Sequence, residues 1–168
     1  EEDVAHVVYD TARPAALTAA VNSMIRAEPA GMWMYYCFNA EYLFFPFCET
    51  RTVGELLTFH AEERRDAMLT YVIDIYAKDL GRYRNGVSLE EAHLDRSGYY
   101  ALARKKRPDS DDPQERQLEF YGGLRRRYEE HVPQDKRKID RIALFRAQPE
   151  LLLRDNHTFS DEEFNTYA

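Results

Sequence analysis

The chain has 168 residues, 44% of them hydrophobic and 13% aromatic, which is enough apolar content to bury a core and too much for a disordered segment. A total of 30 Asp and Glu against 23 Lys and Arg leaves a net charge of −7, which excludes the basic footprint that nucleic-acid binding demands. The longest apolar run, residues 32–48, is interrupted by Asn39, Glu41 and Pro46, so no stretch reaches the roughly 18 apolar residues of a transmembrane segment.

Residues 5–9 read as a short strand. Thr11 as N-cap and Pro14 in the first turn then introduce a helix over 15–27, in which Leu17, Ala20, Val21, Met24 and Ile25 recur at helical spacing. Residues 29–31 stop it. Residues 33–38 are apolar and aromatic throughout, as expected of a strand buried on two sides, and they run into the polar triplet Asn39-Ala40-Glu41. Thr52 with Glu55 forms a capping-box signature for a helix over 53–66, with Leu56, Leu57 and Phe59 on one side.

Residues 68–75 read as a buried strand, 81–86 as a loop and 89–94 as a short helix or turn. The Pro- and Asp-rich run 105–117 reads as an exposed loop, and Gly122-Gly123 opens a basic segment through Arg127. Residues 139–145 form a strand and 151–153 a second short one, with Asp155-Asn156 making a turn before His157. The alternation predicts one α/β domain over 1–168: a sheet with flanking helices and irregular C-terminal insertions. The ends point to a piece of a longer protein, starting without Met and stopping without a polar tail. Cys37 and Cys48 are expected to be reduced thiols, in keeping with a cytoplasmic setting.

Chemistry concentrates at Asn39 and Glu41. Oxygen-bearing side chains at i and i+2 on the end of a buried strand face the same crevice, where open α/β sheets bind their ligands. Mg²⁺ and Mn²⁺ take hard oxygen ligands and accept much of their coordination from substrate phosphates. The bland alternative is a polar strand end followed by a turn. His60 and His93 have no Cys or His at short metal-ligand spacing, and no P-loop, Gly-x-Ser-x-Gly, His-Glu-x-x-His or Gly-x-Gly-x-x-Gly pattern occurs.

The helix containing Ala15-Ala16-Leu17, the Trp33-led strand and the acidic turn followed by aromatic residues resemble the metal-binding region of bacterial family 2-like glycosyltransferases. In that family the strand enters Asp-x-Asp-Glu-Phe. Residues 138–146 followed by His157 resemble the family's closing strand and metal-binding histidine. The two patches cover about a third of the chain. The resemblance implies the C-terminal part of a GT-A domain, inactive alone, with Mn²⁺ or Mg²⁺ held by Asn39, Glu41 and His157. It further implies a nucleotide-sugar donor and a carbohydrate or lipid-linked acceptor.

Two registers are open: Asn39 and Glu41 occupy the two Asp positions, or Glu41-Tyr42 answers to the Glu-Phe pair and the principal Asp is missing. Tyr42 is a candidate substrate contact. For the base that takes the acceptor proton, Glu129 and Glu130 are the candidates, with Arg125 and Arg127 drawing in an anionic substrate. The alternative for this run is a solvated charge cluster. The competing function is a degenerate, non-catalytic carbohydrate- or protein-binding module of the same fold, its twelve Tyr lining a shallow surface. A sulfotransferase would need a phosphate-binding loop that the sequence lacks.

Overall fold

A computed structural model describes residues 4–79, 81–82, 88, 90–105, 113–123, 130–154 and 158–161, with the backbone alone for 113–117 and 135. Helices and small sheets are mixed along the chain in the order α1 (Ala16–Ala27), β1 (Trp33–Tyr35), α2 (Val53–Glu62), β2 (Ala67–Tyr71), β3 (Ile75–Ala77), β4 (Ala92–Leu94), β5 (Tyr100–Lys105), β6 (Pro113–Tyr121), a 3-10 turn (Gln134–Arg137) and β7 (Asp140–Arg146). The chain divides into two compact units, residues 1–69 with 141–168 and residues 70–140. Among the described residues no helix is long and apolar enough to cross a membrane.

The first unit is organised around β7, the central strand of a sheet ordered β1-β7-β2. Residues 141–145 are all buried, which the apolar run of this segment predicts, except that Arg141 is among them. β1 pairs antiparallel with β7 in the register Trp33↔Arg146, Met34↔Phe145 and Tyr35↔Leu144. The core joins Val21 and Ile25 of α1 to Tyr36, Ala67, Ile142, Phe145, Leu151, Leu153 and Phe159. Helix α1 presents Ala20, Val21 and Ile25 inward, whereas Met24 is exposed.

Several sequence expectations need correction. Residues 5–9 form no strand and are exposed, because an extended apolar segment without a pairing partner has nothing to bury against. Thr11 does not cap α1: the N-cap is Ala15, at φ 56 and without a side-chain bond, and Asp10 instead accepts from Ala12 N–H at 3.0 Å. The strand expected over 33–38 ends at Tyr35, and it is an edge strand only half buried. The helix expected to reach residue 66 ends at Glu62, where the chain turns through Arg64 at φ 56. Its capping box at Thr52 and Glu55 is present.

The second unit consists of two antiparallel pairs, β3 with β4 and β5 with β6. The strand expected over 68–75 is divided between β2 and β3, and residues 92–94 are a strand rather than a helix or turn. Residues 113–117, expected within a loop, begin β6. Leu153 makes only an isolated bridge to Phe159, so 151–153 is not a strand proper. Cys37 and Cys48 are both free.

Candidate functional site

The polar triplet after β1 forms a turn in which Asn39 is exposed and Ala40 adopts the left-handed conformation at φ 61. The turn is closed twice: Glu41 N–H donates to the Phe38 carbonyl at 3.3 Å, and Phe38 N–H donates to Glu41 Oε2 at 2.8 Å. The same Oε2 accepts from Nη2 of Arg141 on β7, 100 positions away in sequence. This ion pair is largely withdrawn from water, with the Arg141 side chain 6% and the Glu41 side chain 22% exposed.

The guanidinium also lies against two rings. Its central carbon is 5.3 Å from the Tyr36 ring centre and 5.2 Å from that of Phe38, and the two rings are 5.6 Å apart. Extended chain places residues 36 and 38 on one side, so their ring faces are offered to the same cation. Burial pushes the Tyr36 hydroxyl above its ordinary range, with Arg141 opposing the shift and Glu41 adding to it. Tyr36 therefore stays neutral. Its buried hydroxyl has no hydrogen-bond partner among the described residues.

Of the three ligands that the family resemblance implies for a divalent metal, Glu41 is already engaged by a cation. Glu41, expected as a ligand, holds a guanidinium with the oxygen that also fastens the turn. A doubly charged ion placed about 5 Å from that guanidinium would be opposed by roughly 7 kcal/mol at an effective dielectric of about 20. Among the described residues no group of three His, Cys, Asp or Glu stands close enough together to hold a metal.

Each remaining sequence candidate is described by itself. Tyr42 follows the turn and is 60% exposed. Glu130 is exposed in a turn of the second unit. Arg125, Arg127, Glu129 and His157 lie outside the described residues. Beyond Tyr42 the chain carries Phe44 and Phe47 into solvent, with Phe47 at φ 65 and its carbonyl accepting from the N–H groups of Thr50 and Arg51 at 2.9 and 2.8 Å.

Sequence reasoning missed two polar clusters. Arg141 is one, hidden inside an apolar strand. In the second unit Glu119 accepts from Lys138 Nζ and from the Tyr121 hydroxyl, the latter at 2.7 Å. Burial raises the Glu119 pKa, but the hydrogen bonds from Lys138 and Tyr121 outweigh it and hold the carboxyl below its ordinary range. Burial first, then Glu119, pushes the Tyr121 phenol far up, so this group remains a donor. The alternation Glu119, Tyr121 along a strand is the only local signal of their common side. Comparison with protein families, with curated proteins and with solved structures returns no match for the chain.

Proposed function

We propose that the chain is part of a glycosyltransferase of the GT-A type, moving a sugar from a nucleotide-sugar donor to an acceptor hydroxyl. The observation that supports this reading is the pairing of β1 with β7. The two patches that resemble the family lie far apart in sequence, yet Trp33, Met34 and Tyr35 stand opposite Arg146, Phe145 and Leu144. The Trp33-led strand, which precedes the Asn39–Glu41 turn, and the strand resembling the family's closing strand thus belong to one sheet.

In this reading the chain's residues bind and orient the donor at the Asn39–Glu41 turn, with Tyr42 as the exposed contact beside it. No step is assigned to a metal, because the Glu41 carboxylate is already held by Arg141.

That same ion pair favours a second reading: a non-catalytic carbohydrate- or protein-binding module descended from such an enzyme. The exposed rings of Tyr42, Phe44 and Phe47 would then form its contact surface. Calorimetry with uridine diphosphate and other nucleoside diphosphates, in EDTA and in MnCl₂, separates the two. Saturable nucleotide binding that weakens in Tyr42→Ala supports the transferase. Failure of every nucleotide under both conditions, with binding to immobilised glycans, supports the module.

A further inference from the structure

We infer that Arg141 is the resident cation of the turn after β1, and that this turn takes no divalent metal at Glu41. An arginine inside a central strand is among the costliest residues to bury, and it persists only where its charge is met. Here a single stretch of chain meets it three times. Tyr36 and Phe38 offer their ring faces at 5.3 and 5.2 Å, and Glu41 offers its carboxylate. Aromatic rings and an acid converging on one position form the kind of box that recognises cationic ligands. In this protein the box is filled from within.

The turn's backbone is built to this arrangement. Ala40 adopts a left-handed conformation, unusual for a residue with a side chain, and Glu41 returns toward Phe38 so that one oxygen serves both the Phe38 N–H and the guanidinium. A metal recruited to that carboxylate has to draw it from the guanidinium. It then breaks the ion pair with a buried cation, or stands beside that cation as a second positive charge; both oppose binding. Asn39 is exposed in the turn, and a neutral amide does not compensate for the loss of a carboxylate ligand.

A consequence that rests on the transferase reading concerns the donor. An uncompensated Glu41 would repel a diphosphate, which is what a bound metal ordinarily prevents. Arg141 removes that repulsion beforehand, so nucleotide binding at this turn is independent of divalent metal.

The test is a titration of the full chain and of Glu41→Gln with MnCl₂, followed by water-proton relaxation. The expected result is the same Mn²⁺ affinity for both proteins, within twofold. A larger loss of affinity in Glu41→Gln overturns the assignment. Should Glu41→Gln fail to fold, the wild-type chain supplies the answer by nitrogen-15 NMR: the Phe38 and Glu41 amides and the Arg141 Nε–H signal are expected to keep their intensity at substoichiometric Mn²⁺. Their selective loss overturns the assignment. Uridine diphosphate is expected to bind equally in EDTA and in MnCl₂; binding that requires Mn²⁺ and is lost in Glu41→Gln overturns the inference. If no nucleotide binds under either condition, the transferase reading fails while the Mn²⁺ experiments still decide the role of Arg141.

Discussion

Asn22 on α1 holds the backbone of Leu153 with both ends of its amide: Oδ1 accepts from Leu153 N–H at 2.7 Å, and Nδ2 donates to the Leu153 carbonyl at 2.9 Å. Leu153 is buried in the core of the first unit and carries the bridge to Phe159. One polar side chain thus stands in for a neighbouring strand. Asn22→Ala removes both bonds and leaves a buried peptide group unsatisfied, at an expected cost of about 2–4 kcal/mol in stability. Urea denaturation of the two proteins measures it; a change below about 0.5 kcal/mol would show that the pairing contributes nothing net.

The Glu41–Arg141 pair predicts strong non-additivity. Glu41→Gln takes from the buried guanidinium the carboxylate it is paired with and is expected to cost about 3 kcal/mol, whereas Glu41→Gln combined with Arg141→Met removes both charges and costs less than the two single changes together. A double-mutant cycle should return a coupling of about 2 kcal/mol. Simple additivity would mean that the two side chains do not share their stabilisation.

His60 predicts acid sensitivity. It is the buried residue of α2, set near Trp33 at a ring separation of 6.4 Å, and neither ring nitrogen has a hydrogen-bond partner among the described residues. Burial, with the nearby Arg65 adding to it, lowers its pKa from the ordinary 6.5. The unfolded chain therefore takes up a proton at this position before the folded one does. The contribution is fully present above pH 6.5 and is lost as pH falls through the depressed folded value. Thermal melts across this range should show a decline in wild type that is smaller in His60→Phe. Equal slopes would remove His60 as a cause.

Two adjacent glycines should respond differently to alanine. At Gly122, φ 153, an added Cβ would lie 2.4 Å from Tyr99 Cδ1 and 2.9 Å from the Gly98 carbonyl oxygen. At Gly123, φ 70, its nearest neighbour would be Asp74 Oδ2 at 2.7 Å, the end of a side chain rather than backbone. Gly122→Ala is expected to cost more than about 3 kcal/mol and Gly123→Ala about 1–2 kcal/mol, the latter from its left-handed backbone. Comparison of their denaturation midpoints checks the order.

The elements legible in the sequence were those whose signals are local. The capping box of α2 needs only Thr52 and Glu55, three positions apart, and both reciprocal bonds form. The periodic face of α1 and the apolar run of β7 likewise declare their own burial. The strands of the second unit lack such a signal. Residues 92–94 and 113–117 are polar or mixed, and β4 and β6 arise because β3 and β5 provide partners.

The site follows the same division. The sequence alone determined that an aromatic segment runs into a polar turn at Asn39–Glu41, since the composition changes abruptly there. Only the tertiary structure decided what Glu41 meets. Antiparallel pairing of β1 with β7 brings Arg141 from 100 positions away to that carboxylate. Charge compensation in a folded protein acts through space at a few ångströms, and sequence distance carries no record of it.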